Sequence, residues 1–413
     1  MDYYDALETR DPEVRERALL EALAVQIERA KRIAPGFARL LAGVNGADVQ
    51  SRADLARLPL IRKSDLPELQ RAEPPFGGLV STALGAVTRV FSSPGPIFDP
   101  EGAGPDWWRF ARALYAAGFR RGDWVHNAFS YHFTPAGFMV DSGARALGCT
   151  VFPAGVGQTE LQVQTIARLR PQGYAGTPSF LKILCQRADA LGMDISCLAK
   201  ALVSAEALPR SLREDMGRRG IRVLQCYASA DLGLIAYESP ALEGLIVDEG
   251  VIVEIVQPGT GDPVPDGEVG EVVVTTLNPD YPLIRFATGD LSAVLPGRSP
   301  CGRTNQRIRG WMGRADQAVK VRGMFVHPAQ VAEILRRYPQ VRRARLVVDR
   351  DEAGNDRMIL QCELAAGAQA AGLLDALTGT LRDVTGLRGE AALCRPEELP
   401  NDGKVIDDRR NLS

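Results

Sequence analysis

The spacing of apolar residues along this chain predicts alternating helices and strands. Residues 11–44 place apolar side chains at helical spacing. Between residues 105 and 174, helical patterns alternate with short apolar runs that begin near Trp124 and Cys149. This rhythm is typical of βαβ units, so we predict a parallel sheet covered by helices, with ligands at the carboxyl ends of its strands.

The pattern changes twice in the second half of the chain. Residues 247–276 read as apolar segments separated by Pro-Gly and Asp-Gly turns, which predicts antiparallel strands in a small barrel-like subdomain at about 245–300. After Gly313 a new series of strand and helix patterns begins. We therefore predict an α/β protein, with a large N-terminal domain of parallel and mixed sheets over 1–313 and a small α+β lid over 314–413.

Charge and composition exclude several classes of protein. The 413 residues carry a formal net charge of -2, so the chain lacks the basic excess that neutralises the phosphates of nucleic acids. No apolar run approaches the ~20 residues of a membrane-spanning helix. The seven cysteines are scattered without a Cys-x-x-Cys motif, and the polar start of the chain does not resemble a signal peptide. We expect a cytoplasmic protein without disulfides or structural zinc.

One short motif suggests nucleotide chemistry. Thr288-Gly289-Asp290 places a carboxylate directly after a turn. The two oxygens of a carboxylate can accept hydrogen bonds from both hydroxyls of a ribose diol. An aspartate is equally at home in an ordinary turn, so the tripeptide alone leaves both interpretations open.

The order of the motifs carries more information than any one of them. Thr-Gly-Asp is followed by Cys-Gly-Arg-Thr from Cys301, Gly-Arg-Ala-Asp from Gly313 and Val-Arg-Gly from Val321. This series resembles the adenylate-forming enzymes and, more narrowly, the phenylacetate-CoA ligase branch. The resemblance extends over most of the chain. It implies that a carboxylic acid reacts with ATP and Mg²⁺ to form an acyl-AMP, from which coenzyme A or another thiol displaces AMP.

The resemblance also implies roles for residues near the predicted domain boundary. By analogy Asp290 binds the ribose of AMP, and Arg314 lies on the nucleotide side of the hinge. Asp316 is the hinge itself. Rotation of the lid about Asp316 would turn Arg322 and Gly323 towards the nucleotide between the two half-reactions.

Two segments of the N-terminal domain match nucleotide-binding segments of the family. The first follows an apolar strand and corresponds to the lining of the adenine and acyl pockets; it comprises Ser204, Ala205 and Glu206. Glu206 could instead be a carboxylate that stabilises a helix start. The second segment packs against adenine in the family and comprises Tyr227, Ala228 and Ser229. Asp231 replaces the family's glutamate as a ligand for Mg²⁺, and oxygen ligands suit this hard cation.

The resemblance places the acid and its activation at two further positions. Tyr131, Phe133 and Gly137 align with the substrate wall, although aromatic residues at strand spacing are commonly core residues. Lys404 corresponds to the terminal lysine that contacts the carboxylate and the α-phosphate, where a compact ammonium offsets developing negative charge. The alternative for Lys404 is a floppy basic tail. We assign no role to Lys63 and expect it to be solvated.

The predicted phosphate loop departs from the family. Ser92, Ser93 and Gly95 could approach phosphates, but the threonine pair and the lysine of the family are missing. The intervening prolines have no N–H to donate, and the segment could be an ordinary Pro-Gly turn. Two functions follow: an ATP-dependent ligase for an aromatic or arylacetic acid, or an AMP- or acyl-adenylate-binding protein that has lost ligase activity. Relatives also make a homodimer possible.

Overall fold

The computed structural model describes most of the chain, and it shows two compact units. The residues described are 2–93, 96–315, 319–322, 324–351, 354–368, 370, 372–400, 402 and 404–410, with backbone alone at 320, 325 and 329. Among them, 2–253, 274–286 and 295–310 form the first unit, and 254–273, 287–294 and 311–410 form the second. The domain boundary at 313/314 stays a prediction.

Two of the longer helices, α1 and α8, begin at residues whose side chains cap them. Asp11 accepts hydrogen bonds from the N–H groups of Glu13 and Val14 at the start of α1, and Thr177 accepts one from Phe180 at the start of α8. The α-helices are α1 (Pro12–Ile33), α2 (Pro35–Leu40), α3 (Arg52–Ala56), α4 (Leu66–Ala72), α5 (Phe110–Ala116), α6 (Ala136–Ala146), α7 (Thr159–Leu169), α8 (Pro178–Leu191), α9 (Arg210–Arg218), α10 (Pro328–Arg337) and α11 (Leu373–Thr385). Short 3-10 turns cover Ala6–Thr9, Gly46–Asp48, Lys63–Asp65 and Leu84–Ala86.

The strands follow the predicted change from parallel to antiparallel pairing. They are β1 (Ile61–Arg62), β2 (Arg89–Ser93), β3 (Ile97–Glu101), β4 (Trp124–Asn127), β5 (Thr150–Pro153), β6 (Gly173–Gly176), β7 (Lys200–Val203), β8 (Arg222–Ser229), β9 (Gly233–Glu238), β10 (Leu245–Val247), β11 (Val251–Val256), β12 (Val269–Thr276), β13 (Phe286–Leu295), β14 (Arg307–Ile308), β15 (Val319–Val321), β16 (Met324–Val326), β17 (Val341–Arg350), β18 (Asp356–Leu364), β19 (Glu390–Cys394) and β20 (Ile406–Asp408).

The first unit is built on the parallel sheet that the sequence predicts. Strands β5, β4, β6, β7 and β8 lie in that order and pair in parallel. Strands β9, β10 and β14 extend the same sheet with antiparallel pairing. Helices α7 and α8 cover β6 and β7 through a core that includes Val163, Ile166, Leu184 and Val203. The α/β fold is therefore confirmed, and neighbouring parallel strands end at one edge of the sheet.

The antiparallel region confirms strands but not their closure. Strands β11, β12 and β13 are neighbours in that order. Their alternating turns at Gly259, Gly261 and Gly267 have positive φ angles, which glycine adopts without strain. A barrel-like closure of this region stays a prediction.

The second unit contains the predicted α+β elements. A four-stranded sheet in the order β19-β18-β17-β20 packs against α10 and α11. Their common core includes Val331, Ile334, Leu346, Leu360 and Leu381. Elsewhere in this unit β15 and β16 form an antiparallel hairpin. In the described part of the chain, no helix combines the length and the apolar character needed to cross a membrane.

Candidate active site

The first unit brings several predicted residues to the carboxyl edge of its parallel sheet. Asn127 ends β4, Gly176 ends β6, Val203 ends β7 and Ser229 ends β8. The residues that directly follow β4 and β7 both donate to the end of β6: Ala128 N bonds to Ala175 O (2.7 Å), and Ser204 N bonds to Gly176 O (3.3 Å). Segments 127–137, 204–206 and 227–231 therefore lie at the same edge of this unit.

The loop after β7 presents exposed residues on a defined backbone. The Ser204 hydroxyl donates to the carbonyl oxygen of Cys226 (2.8 Å), which fixes this loop to β8. Ala205 has φ +69, and Ala205 and Glu206 are both exposed. The carboxylate of Glu206 accepts a hydrogen bond from the N–H of Ser179 (3.3 Å) at the start of α8. Glu206 thus does act at a helix start, and its exposure leaves it accessible to a ligand as well.

The predicted substrate wall is organised by a buried amide. Asn127 donates through Nδ2 to the Tyr131 hydroxyl (2.7 Å) and to the carbonyl oxygen of Gly137 (2.9 Å). The Tyr131 ring lies edge-on to Phe138 at 5.1 Å, and burial raises the pKa of the Tyr131 phenol. Phe133 is 78% exposed, so it is not a core residue. The two aromatic side chains therefore differ: Tyr131 is held half-buried, and Phe133 faces solvent.

Gly137 is required by the close approach of this wall. A Cβ at this position would lie 2.7 Å from the carbonyl oxygen of Ser130 and 2.8 Å from the ring of Tyr131. We expect Gly137→Ala to destabilise the fold by about 1–3 kcal/mol, because the backbone oxygen cannot yield as a side chain would. Differential scanning calorimetry measures this effect. Gly217→Ala is the control, since a Cβ there meets no atom within 4 Å, and equal melting temperatures for both variants would contradict the expectation.

Asp231 lies beyond the end of β8 and is paired with a residue to which the sequence assigned no role. Its carboxylate is buried, and Oδ2 lies 2.6 Å from Nζ of Lys63 and 3.2 Å from the Ser229 hydroxyl. The Lys63 side chain is only 25% exposed. The expectation of a solvated Lys63 is therefore wrong.

A second buried carboxylate, which the sequence analysis missed, contacts the first. Asp99 on β3 lies within hydrogen-bonding reach of Asp231 and accepts a hydrogen bond from the Ser93 hydroxyl (2.8 Å). Burial, and then the charge of Asp231, raise the pKa of Asp99 well above its usual range. The sequence analysis had no signal for Asp99, because an aspartate followed by a proline is typical of a turn. The cluster combines two carboxylates with one ammonium.

Contacts within the protein occupy much of the predicted phosphate loop. The N–H of Ser92 donates to the carbonyl oxygen of Phe133 (2.9 Å), and the hydroxyl of the buried Ser93 is directed to Asp99. Gly95 lies outside the described residues. Ser93 on β2 pairs with Ile97 on β3 in antiparallel register, so the described residues on either side of positions 94 and 95 belong to paired strands.

In the second unit, Asp290 is held by two donors. Arg314 Nη1 and Trp311 Nε1 each lie 3.1 Å from Asp290 Oδ1. The backbones of Asp290 and Arg314 also form an antiparallel bridge, and the Asp290 N–H donates to the Thr288 hydroxyl (3.1 Å). The sequence predicted Asp290 and Arg314, and the structure brings them together. Trp311 was missed, since an exposed indole gives no local signal of its partner.

The remaining lid residues have separate surroundings. Arg322 has φ +47, and its guanidinium donates to the carbonyl oxygens of Asp356 (2.7 Å) and Arg388 (3.2 Å). Lys404 is exposed and lies two residues before β20, which pairs in parallel with β17. Residues 406–408 are therefore not a floppy tail, and the role of Lys404 stays a prediction. Asp316 and Gly323 lie outside the described residues.

Comparison with known proteins gives a consistent result. Residues 112–278 match the family model described as AMP-binding enzyme. The chain is 33% identical to the phenylacetate-coenzyme A ligase of Thermus thermophilus, over 83% of this chain and 81% of that protein. It is 31% identical to the phenylacetate-coenzyme A ligase of Aromatoleum evansii, over 92% of this chain and 90% of that protein.

Solved structures agree with the sequence comparisons. A 2-hydroxyisobutyryl-CoA ligase in an open conformation, in complex with 2-HIB-AMP and CoA, superposes with a TM-score of 0.72 at 25% identity, over 97% of this chain and 93% of that one. The same ligase in the postadenylation state superposes with a TM-score of 0.71 and covers 97% of this chain and 91% of its own. From these relatives and the arrangement of its motifs, the chain belongs to the phenylacetate-CoA ligase family of AMP-binding enzymes.

Proposed function

We propose that this protein is an ATP-dependent acyl-CoA ligase that activates an aromatic or arylacetic acid through an acyl-AMP. The observation that carries the proposal is the shared carboxyl edge of β4, β6, β7 and β8. Each family segment of the first unit, at 127–137, 204–206 and 227–231, emerges there. Ligands of open α/β sheets bind at such edges.

The reaction needs charge stabilisation and positioning rather than a general base, because the attacking carboxylate is already ionised. In the first half-reaction one carboxylate oxygen bonds to the α-phosphorus of ATP and pyrophosphate leaves. In the second, the thiol releases its proton to solvent, its sulfur bonds to the acyl carbon, and the bond from that carbon to the phosphate oxygen of AMP breaks, so that AMP leaves. We assign the ammonium of Lys404 to the α-phosphate and the carboxylate of Asp290 to the ribose hydroxyls. Arg314 holds Asp290 in place.

The adenine and the cation have candidate partners in the first unit. Tyr227, Ala228 and Ser229 are half-buried at the end of β8, which suits packing against a flat base. Among the described residues, no group donates a hydrogen bond to the buried Asp231 Oδ1, as expected of an oxygen that awaits a ligand. Mg²⁺ held there would neutralise charge on the phosphates. Ser92, Ser93 and Gly95 are proposed to border the phosphates, and Ser204, Ala205 and Glu206 the adenine.

The acid and the thiol are proposed from different observations. The solvent-facing Phe133 and the fixed Tyr131 ring beside Gly137 form an aromatic surface, and the named relatives act on phenylacetate. Coenzyme A as the acceptor is supported by the solved ligase complex that contains it. Movement of the lid about Asp316, with Arg322 and Gly323 turned towards the nucleotide, stays part of the proposal, as does a homodimer.

The proposed location is the cytoplasm. All seven cysteines are free thiols, which is typical of reducing compartments. The net charge of -2 gives no support to a nucleic-acid partner.

One observation favours the second candidate, a protein that binds AMP or acyl-adenylate without ligase activity. The Ser92 N–H and the Ser93 hydroxyl are already used inside the protein. If the remaining groups of the loop are too few to hold the β- and γ-phosphates, AMP would bind more tightly than ATP.

Exchange of labelled pyrophosphate into ATP separates the two functions. We expect acid-dependent exchange with at least one member of a panel of benzoic, phenylacetic and phenoxyacetic acids, and formation of the corresponding CoA thioester by mass spectrometry. An aliphatic acid panel is the control for specificity. Calorimetry with AMP completes the test: AMP binding without exchange for any acid would establish the binding protein and reject the ligase.

A further inference from the structure

Three buried oxygens, one of them on the predicted cation ligand Asp231, have no hydrogen-bond partner within the described residues. They are Asp99 Oδ1, Asp231 Oδ1 and the Tyr281 hydroxyl. The three residues are 1%, 2% and 1% exposed. A buried polar group left without a partner costs about 1–3 kcal/mol, so three in one place call for a ligand.

These oxygens belong to one cluster. The carboxyls of Asp99 and Asp231 are within hydrogen-bonding reach of each other, and both act electrostatically on the Tyr281 phenol. Each carboxylate has its other oxygen, Oδ2, fixed by a donor: Ser93 for Asp99 and Lys63 for Asp231. The donors thus orient the two carboxylates and leave one oxygen of each for a further partner.

The charges favour a cation as that partner. A metal ligand is an ionised carboxylate, and with both carboxylates ionised the two aspartates and the Lys63 ammonium carry a formal charge of -1. In a buried place this charge is costly unless a cation balances it. Tyr281 is itself a neutral oxygen donor to a cation. The described residues contain no group of three or more His, Cys, Asp or Glu side chains that could hold a metal. Two carboxylates suffice for Mg²⁺, which is commonly held by one or two of them with water and substrate phosphates.

We propose that Asp99 is a second carboxylate ligand, beside Asp231, for the divalent cation of the reaction. The proposal rests on the proposed function for its role in catalysis. It goes beyond the family resemblance, which supplies only the position of Asp231. In this proposal the short hairpin of β2 and β3 positions a metal ligand, since Ser93 at the end of β2 orients Asp99 on β3.

Mn²⁺ titration followed by electron paramagnetic resonance tests the proposal on the full-length protein without nucleotide. We expect wild type to bind one Mn²⁺ per chain and Asp99→Asn to bind it at least about 10-fold more weakly, as loss of ligands or their supports weakens metal sites. Asp106→Asn is the matched control, because the Oδ1 atom of Asp106 is also buried but does not belong to the cluster. Its other oxygen, Oδ2, accepts a hydrogen bond from the N–H of Ala111 at the start of α5. This variant should retain wild-type affinity.

Thermal melts show whether a loss of Mn²⁺ binding comes from the lost ligand or from a failure of the variant to fold. Without a cation, Asp99→Asn should melt no lower than wild type, because it removes one of two like charges in contact. Mg²⁺ should raise the melting temperature of wild type and of Asp106→Asn but not that of Asp99→Asn. Unchanged Mn²⁺ affinity in folded Asp99→Asn, or no Mn²⁺ binding by wild type, overturns the proposal.

Pyrophosphate exchange distinguishes this failure from failure of the proposed function. An active ligase whose Asp99→Asn variant binds Mn²⁺ normally rejects the role of Asp99 alone. A protein that binds Mn²⁺ through Asp99 but shows no exchange with any acid rejects the ligase and retains the cation site.

Discussion

Replacing Lys404 by alanine is expected to slow adenylation by about 10²–10³-fold while AMP affinity changes little. This is the scale observed when one group that stabilises transition-state charge is removed. Lys404 is exposed and lies outside β20, so removal of its ammonium should leave the packing of the second unit intact. Acid-dependent pyrophosphate exchange measures the rate, and isothermal calorimetry measures AMP binding.

The control for Lys404→Ala is Arg409→Ala, which removes another exposed cation from the same end of the chain. Arg409 pairs with Asp407 at 2.9 Å and has no proposed contact with the nucleotide. We expect wild-type exchange from this variant. If Lys404→Ala exchanges pyrophosphate as fast as Arg409→Ala does, the assigned role of Lys404 is wrong.

Asp290→Asn is expected to weaken AMP binding by about 10–150-fold, the equivalent of one lost charge-assisted hydrogen bond of about 1.5–3 kcal/mol. The amide can keep one oxygen for Arg314 and Trp311, which both donate to Oδ1. The second acceptor becomes an NH₂ donor and can no longer accept from a ribose hydroxyl. Isothermal calorimetry with AMP, and with adenine as a ligand that lacks the ribose, measures the difference.

Asp375→Asn provides the matched control, because Asp375 is an exposed aspartate in the first turn of α11. This variant should bind AMP as wild type does, and adenine affinity should be the same for all three proteins. Wild-type AMP affinity in Asp290→Asn would show that this carboxylate does not hold the ribose.

The elements of the fold were accessible to sequence reasoning because they depend on local spacing. The strands predicted within residues 247–276 are present as β11 and β12, and the series of strands and helices predicted after Gly313 is present as β15 to β20 with α10 and α11. Apolar periodicity reports which face of an element is buried, and that information lies within about ten neighbouring residues. The order of the family motifs added the candidate site residues Asp290 and Asp231, because motif order is read directly along the chain.

The partners of those residues were not accessible in the same way. Lys63 and Asp231 are separated by 168 positions along the chain, and no local pattern relates them. The same holds for Asp99, which is buried in the hairpin of β2 and β3 although a proline follows it in the sequence. A charged side chain in isolation is expected to be solvated, and only a specific partner reverses that expectation.

The sequence by itself determined the α/β class, the order of the elements and the positions of the family motifs, because each follows from residue spacing over short distances. Only the tertiary structure decided which charges meet. It paired Lys63 with Asp231, placed Asp99 against the same carboxylate, and brought Arg314 and Trp311 to the same oxygen of Asp290. Burial and electrostatic contact act through space, and chain folding sets those distances.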